Sequence, residues 1–179
     1  MSIVLGLNCN HADSSACILK DGKLLFAIEE ERINRIKHWA GLPIESIKEC
    51  LNQTNIDCTE ITDIAINTNP LSNIKEKTIF FLKNYLFGSK KREIANRIIK
   101  KINIKKDINN LLNPKKLSKK VKIHYIDHHI AHIASAFYPS NFDDAIGLSI
   151  DGFGDFCSLS IAKCNNEKIE IIEKVFFPD

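Results

Sequence analysis

The sequence lacks the features that mark membrane, secreted and disulfide-rich proteins. No two of its cysteines form a C-x-x-C pair; the six are Cys9, Cys17, Cys50, Cys58, Cys157 and Cys164. Cys17 and Cys157 lie inside apolar, strand-like runs, so the pattern favours reduced, mostly buried thiols. No apolar run approaches the length of a membrane span. The opening run, Ile3 to Leu7, is too short for a signal peptide and has no basic lead. We therefore expect a cytoplasmic protein with no membrane partner.

The composition is that of an ordinary globular protein. The chain has 179 residues, of which 44% are hydrophobic and 26% are charged, and both values are typical of soluble domains. This length accommodates one large domain, or one complete domain and part of a second.

The positive charge is concentrated in the middle of the chain. Between Lys75 and Lys122 there are sixteen Lys and Arg residues and three acidic residues, a local charge of +13, although the formal net charge is only +3. We interpret residues 74–121 as a basic helical insertion. Nucleic acid is one partner that such a segment could bind, because phosphate contacts depend on Lys and Arg. The segment has no glycine-aromatic stacking motif, however, and lysines on amphipathic helices more often form a solvated face. We therefore do not expect nucleic-acid binding.

The pattern of apolar residues predicts alternating strands and helices. The predicted strands are 2–8, 15–19, 24–29, 61–67, 122–126 and 145–150, and the predicted helices are 43–53, two within 74–112, and 128–138. An Asp21-Gly22 turn joins the second and third strands, which makes the opening a three-stranded antiparallel meander. The end of the chain repeats this design, because Gly6–Asn8 corresponds to Gly147–Ser149, and Leu24–Glu29 corresponds to Ile169–Val175.

A histidine pair in the last predicted helix suggests a metal site. His128 and His132 stand four residues apart, so both side chains project from one face. Asp151, which follows a predicted strand, could add a carboxylate. Two histidines and a carboxylate suit Fe(II) or, less selectively, Zn(II) or Mn(II). Such a pair also occurs without a metal, and Asp151 to Asp155 is also the pattern of an ordinary hairpin turn. We expect His129 and His124 either to support the ligands from behind or to be structural.

Four ordered motifs together carry a family resemblance. They are Asn8-x-x-His11-x-Asp13-Ser14-Ser15-Ala16, Glu30-Glu31-Arg32-x-x-Arg35-x-Lys37-His38, Asp127-His128-His129-x-Ala131-His132-x-Ala134-Ser135-Ala136 and Asp151-Gly152-x-Gly154-Asp155. They resemble the nodulation-factor and antibiotic-tailoring O-carbamoyltransferases from residue 3 to about 179, apart from the basic insertion. Related carbamoyl-transferring architectures act on tRNA or in hydrogenase maturation, and the first motif favours the O-carbamoyl group.

The resemblance and the duplicated meander imply an α/β fold of the actin, Hsp70 and sugar-kinase-like (RNase H-like) ATPases. Residues 1–143 would form the first subdomain, and residues 144–179 would open a second, incomplete one. Because relatives continue further, we expect the remaining C-terminal domains or a companion chain to be needed, and this chain alone to be inactive. The exposed face of an incomplete subdomain also makes self-association an alternative.

The resemblance further implies a reaction and its cofactors. A carbamoyl group would pass from carbamoyl adenylate, made from carbamoyl phosphate and ATP, to a hydroxyl of a sugar or natural-product acceptor. Fe2+ or another divalent metal would be held by His128, His132 and Asp151. An alternative is a nucleotide-binding regulatory module, or a basic nucleic-acid-binding protein, without transferase activity.

The resemblance also implies roles for other residues of these motifs. Nucleotide phosphates would meet Gly152, Gly154 and Asp155, because glycines let backbone N–H groups approach an anion. Catalysis would involve His11 as the base or acceptor-orienting group and Lys37 as a cation. Substrate-binding residues would be Asp13, Ser14, Arg32 and His38. Without the resemblance, His11 could cap a strand, and Lys37 and His38 could belong to a solvated face.

Overall fold

The structure is a computed structural model that describes residues 1–10, 12–69, 72–73, 75–76, 78–79, 104–111 and 117–176. His11 lies outside the described residues, as does most of the segment predicted to form two helices within 74–112. The chain divides into two compact units, Met1–Asn67 with Arg92–Tyr125, and Thr68–Lys91 with Ile126–Asp179.

The first unit is built on a five-stranded sheet. Its strands are β1 (Ile3–Asn8), β2 (Ser15–Lys20), β3 (Lys23–Glu29), β4 (Asp63–Ile66) and β5 (Lys122–Tyr125). The strand order is β3-β2-β1-β4-β5. Strand β2 is antiparallel to β1 and β3, whereas β4 is parallel to β1 and β5. This order, with one reversed strand, is that of the RNase H-like fold, so the predicted fold class is confirmed.

The described part of this unit contains helices α1 (Glu30–Asn34), α2 (Ile44–Thr54) and α3 (Ile104–Leu111), with a 3-10 turn at Cys58–Glu60. Helix α2 was predicted from its apolar spacing, whereas α1 was not, because its five residues are mostly charged. The predicted β2–β3 hairpin is present, and Asp21 and Gly22 both have positive φ, 49° and 81°, as a tight hairpin turn requires.

Alternation along β1 creates the core of the first unit. Ile3, Leu5 and Leu7 are almost fully buried and pack in one cluster with residues of α2 and α3, such as Ile47 and Ile108. Burying each such side chain contributes about 2 kcal/mol. The cluster therefore holds the helices on the sheet.

The second unit contains a three-stranded antiparallel meander, as the repeat predicts. Its strands are β6 (Asp144–Gly154), β7 (Cys157–Asn165) and β8 (Ile169–Phe176), and helix α4 (His128–Phe137) precedes them. Ile133 and Phe137 of α4 pack on Ala162 and Cys164 of β7. Helix α4 groups with this sheet, and the subdomain boundary at residue 143 stays a prediction.

The end of β6 differs from the sequence prediction. The strand was expected to end at Ile150, but it continues through Asp151 to Gly154, with a register irregularity between Ile150 and Gly154. The turn follows the end of the strand at Gly154, where Asp155 and Phe156 have positive φ of 50° and 73°. Asp151 is therefore a strand residue.

The state of the cysteines and the length of the helices can be read from the structure. All six cysteines are free; Cys17 is partly exposed and the other five are buried. Within the described ranges, no helix is long and apolar enough to cross a membrane.

Candidate metal centre

Helix α4 begins at a charged cap that fixes its first turn. Oδ1 of Asp127 accepts hydrogen bonds from the backbone N–H groups of His129 and Ile130, at 3.0 and 3.3 Å. These are two of the N–H groups that a helix start leaves without an internal partner. Oδ2 accepts from Ser72 Oγ and Lys174 Nζ, each at 2.7 Å. Burial alone would raise the pKa of Asp127, but the bonds from Lys174 and Ser72 hold that pKa below its usual value.

Three potential ligands converge beside this first turn. His128 Nε2 lies 3.0 Å from His132 Nε2 and 2.8 Å from Asp151 Oδ2. The ligand atoms of all three residues lie within 4.8 Å of one another. Two ligand atoms bound at a right angle to one ion, each about 2.1 Å from it, are about 3.0 Å apart. The structure therefore brings the three predicted metal residues together at a spacing that suits one ion.

The chemistry of this donor set also suits a divalent metal. The His128 and Asp151 side chains are 12% and 34% exposed, and His132 is exposed, so ligands can reach the group from one side. Burial alone would raise the pKa of Asp151, but the neighbouring His128 and the backbone N–H of Gly152 lower that pKa below its usual value. The carboxylate is thus ionised at neutral pH, as a ligand must be.

His129 anchors the helix and is not part of the cluster. Its side chain is fully buried, with Nε2 3.0 Å from the Cys157 carbonyl and Nδ1 2.8 Å from Ser149 Oγ. A carbonyl only accepts, so Nε2 carries the proton and Nδ1 accepts from the Ser149 hydroxyl. One side chain therefore ties α4 to both β6 and β7.

The two glycines predicted to bind phosphate have different surroundings. A Cβ at Gly154 would collide with Cδ2 of the His128 ring and lie 2.9 Å from Asp151 Oδ2. A Cβ at Gly152 would meet nothing within 4 Å. Of these two glycines, only Gly154 is therefore required by close packing.

Asp155, also predicted to bind nucleotide, is hydrogen-bonded to the chain itself. Its Oδ1 accepts from Thr68 Oγ1 at 2.9 Å. Its Oδ2 accepts from the backbone N–H of Asn69 at 2.9 Å and of His128 at 3.2 Å. Its carbonyl accepts from Asn73 Nδ2 at 2.8 Å. Both carboxylate oxygens are thus engaged, and one of them meets the first residue of α4.

The first unit brings together a second polar group. Asp13 Oδ1 lies 2.9 Å from His38 Nδ1, and the His38 backbone N–H donates to Glu31 Oε2 at 3.1 Å. The hydrogen bond with Asp13 raises the pKa of His38. Asp13 and His38 both have positive φ, 61° and 54°, a conformation uncommon in residues other than glycine.

The other site residues predicted for the first unit do not form a cluster with Asp13 and His38 among the described contacts. Ser14 is buried, and its hydroxyl donates to the Gly41 carbonyl at 2.9 Å and accepts from the Gly41 N–H at 3.1 Å. Arg32 is 66% exposed and pairs with Glu29 at 3.3 Å, and Lys37 is exposed. These roles stay predictions, as does that of His11.

Two charged residues that organise the fold were not predicted from the sequence. Glu30 is 3% exposed and accepts from the backbone N–H groups of Glu45 and Ser46, at 3.1 and 2.8 Å, so it caps the start of α2. Lys174 reaches Asp127 from β8. The groups that Glu30 and Lys174 contact are distant from them in sequence, so no local pattern reveals these contacts. An acid near a helix start is only a general sign of capping.

The fold and the histidine–carboxylate cluster define an RNase H-like α/β protein with a candidate metal centre. Residues 3–179 match the family described as Carbamoyltransferase N-terminus. The chain belongs to this family, and the predicted resemblance is confirmed.

The chain is also similar to individual proteins that are longer than it is. The chain is 30% identical over 147 residues to nodulation protein NolNO of Sinorhizobium fredii, covering 82% of this chain and 20% of that protein. It is 29% identical to protein sll1178 of Synechocystis sp., covering 99% and 30%, and 30% identical to protein MJ1051 of Methanocaldococcus jannaschii, covering 95% and 26%. The chain thus spans less than a third of the length of these relatives.

Two solved structures align along nearly the whole chain at low sequence identity. YeaZ from Pseudomonas aeruginosa aligns with a TM-score of 0.48 at 12% identity, over 99% of this chain and 68% of that one. An Aquifex aeolicus PPX-GPPA enzyme aligns with a TM-score of 0.36 at 10% identity, over 99% and 52%.

Proposed function

We propose that this chain is the N-terminal portion of a carbamoyltransferase. The complete protein transfers a carbamoyl group from carbamoyl adenylate, made from carbamoyl phosphate and ATP, to a hydroxyl of a sugar or natural-product acceptor. The family membership of residues 3–179 carries this proposal. It is supported by the short distances between His128, His132 and Asp151. These three side chains can together bind the divalent metal that such a reaction would use.

The cluster is proposed to hold Fe2+ or another divalent ion. His128 and His132 would each give Nε2, and Asp151 would give a carboxylate oxygen; two imidazoles and a carboxylate with open positions suit Fe(II). A bound ion would act as a Lewis acid toward a carbamoyl carbonyl or a phosphate oxygen. The capped first turn of α4 and the buried His129 keep the two imidazoles in register with the carboxylate.

Metal analysis tests this site without an activity assay. Protein purified without oxygen or chelator should contain a divalent metal at near-stoichiometric level, with iron expected first. His128→Ala and Asp151→Ala should lose it, because each removes one of three ligands. His124→Ala is the matched control, since that ring pairs with Asp63 at 2.7 Å in the first unit. Equal metal content in wild type and His128→Ala would refute the ligand assignment.

Residues of the first unit are proposed to bind the acceptor and to act on the acceptor hydroxyl and the carbamoyl group. His11 would take the proton of the acceptor hydroxyl, and Lys37 would offset negative charge developing on the carbamoyl oxygen. The Asp13–His38 pair, with Ser14 and Arg32, would bind substrate. The geometry of Asp13 and His38 supports this, because a carboxylate that orients an imidazole is a common arrangement in binding sites.

The Asp151–Asp155 segment is proposed to lie near the nucleotide phosphates. Gly152 is the residue that best supports this, because its missing side chain leaves open space, where an anion can approach the backbone. If the proposal is correct, ATP should raise the melting temperature of the wild type, and a bulky Gly152→Val substitution should reduce that shift. An unchanged ATP shift in Gly152→Val would contradict the assignment.

A further polypeptide is proposed to cover the second sheet. Ile146, Leu148 and Ile150 of β6 are 67%, 58% and 72% exposed, whereas Leu5 and Leu7 of the corresponding strand β1 are buried. Among the described strands, β6 pairs only with β7, while β1 pairs with both β2 and β4. The predicted occupant is further C-terminal sequence or a companion chain, with self-association as the alternative.

Reconstitution tests the activity and the partner together. The chain is mixed or fused with the C-terminal segment of a family relative and given carbamoyl phosphate, ATP and a panel of sugars. Mass spectrometry of the sugars should then show a carbamoyl ester only when both parts are present. Full activity from the 179 residues alone would refute the need for a partner. No activity in a well-folded, metal-loaded reconstitution would favour the regulatory nucleotide-binding alternative.

A further inference from the structure

Gly154 and Asp155 contact the metal-ligand His128 from two sides. The missing side chain of Gly154 leaves the room that the His128 ring occupies, since a Cβ there would overlap Cδ2 of the ring. The Asp155 carboxylate accepts the backbone N–H of His128 at 3.2 Å. Gly154 thus limits the position of the His128 ring, and Asp155 fixes the backbone from which the ring projects.

The electrostatics of Asp155 argue against direct phosphate contact. Its Oδ1 and Oδ2 already accept from Thr68 Oγ1 and the Asn69 N–H, both at 2.9 Å. A carboxylate has no hydrogen to donate to a phosphate oxygen, and its like charge repels an anionic phosphate. Its contacts instead join residues 68–69 to the start of α4.

We propose that Gly154 and Asp155 are positioning residues that set the His128 ring for metal binding, with Gly152 left as the glycine that faces a ligand. This inference rests on the metal site proposed above. The Asp151–Asp155 segment then contains residues with three different roles, because Asp151 is a ligand, Gly152 is open, and Gly154 and Asp155 act through His128. Residues that orient a metal-bound histidine typically change metal affinity about 10- to 100-fold when mutated.

The two glycines form a matched pair of substitutions for the test. The probe is Co2+ added alone to metal-free protein, with its dissociation constant and visible absorption spectrum as readouts. Gly154→Ala should weaken Co2+ binding by about 10-fold or more and change the spectrum, because the new Cβ displaces the His128 ring. Gly152→Ala should bind within about twofold of wild type, because a methyl group there meets nothing within 4 Å.

Asp155 is tested by a rescue. Asp155→Ala removes every side-chain acceptor and should also weaken Co2+ binding by about 10-fold. Asp155→Asn should restore affinity to within about threefold of wild type, because an amide oxygen can still accept the N–H groups of Asn69 and His128 while the amide NH2 donates to the Thr68 hydroxyl. A role of Asp155 as a charged ligand would instead make Asn as poor as Ala.

The outcomes separate this inference from the metal site itself. Failure of the wild type to bind Co2+ would refute the metal site. Wild-type affinity in Gly154→Ala, or equal weakening in Gly152→Ala and Gly154→Ala, would overturn the positioning role and leave the metal site standing. Thermal melting of each metal-free variant identifies any that unfold; for an unfolded Gly154→Ala, the Asp155 pair decides the question alone.

Discussion

Lys174 Nζ, on the last strand of the second unit, lies 2.7 Å from Oδ2 of Asp127, the cap of helix α4. The two side chains are 17% and 10% exposed, so the pair is largely removed from water. Forty-seven residues separate them, and the contact fixes the end of the helix that carries His128 and His132. A strand far along the chain therefore supports the first turn of the candidate metal centre.

Removing the cation of this pair should lower stability. Lys174→Met keeps most of the side-chain volume but leaves a largely buried carboxylate without its counter-charge, which should reduce the free energy of unfolding by about 3 kcal/mol. Urea denaturation at pH 7 measures this. Lys168→Met is the control, because its pair with Glu170 is 62% and 60% exposed and exposed pairs contribute little. Equal losses in both variants would contradict the interpretation.

The same pair predicts a pH dependence. Hydrogen bonds from Lys174 and Ser72 outweigh burial and lower the pKa of Asp127 in the folded state. The lowered pKa means that its stabilising contribution is present above the unfolded pKa of about 3.9 and is lost as pH falls through the folded pKa. The stability difference between wild type and Lys174→Met should therefore shrink in acid, below about pH 4. A difference that stays constant from pH 7 into acid would exclude this linkage.

Gly147→Ala should separate helix α4 from its sheet. A Cβ at Gly147 would lie 2.5 Å from Ile133 Cγ2 and 3.0 Å from Cys164 Sγ, in the small core of the second unit. Overpacking of this kind costs about 1–3 kcal/mol. Thermal melting measures it, with Gly152→Ala, which meets open space, as the control. A melting temperature equal to that of Gly152→Ala would show that the helix adjusts without cost.

The imidazole of His38 should titrate above its ordinary value. Its hydrogen bond with Asp13 raises the pKa from 6.5, because the carboxylate favours the charged ring. NMR titration of the ring protons gives the value directly, and Asp13→Asn should lower it. The raised pKa makes the contribution of this pair present below the unfolded pKa and lost as pH rises through the folded pKa. An unchanged His38 titration in Asp13→Asn would rule out the pairing.

Cys50 should resist alkylation in the folded protein. Its side chain is fully buried, and burial, with a smaller contribution from Cys17, raises its pKa to about 12. Alkylation requires the thiolate, so iodoacetamide at pH 8 should modify Cys50 only after denaturation. Peptide mass spectrometry before and after urea treatment measures this. Modification of native Cys50 at the rate of an unfolded thiol would show that α2 opens readily.

Much of the fold was predictable because it depends on local patterns. A short run of β-branched and apolar residues identified β1, the Asp21-Gly22 turn fixed the first hairpin, and the second meander followed from the repeat. The charged run of α1 and the continuation of β6 past Ile150 were not predicted. A five-residue helix has no usable periodicity, and Asp151 and Gly152 are residue types of a turn, although the strand continues through them.

The candidate metal centre shows the same division. By itself the sequence determined the candidate ligand pair, because His128 and His132 are neighbours on any helix that contains them, and it determined the family through its ordered motifs. Only the tertiary structure decided that Asp151 faces His128, that Gly154 makes room for its ring, and that Lys174 holds the cap at Asp127. Those contacts join residues far apart in sequence, and their geometry depends on packing that no local pattern contains.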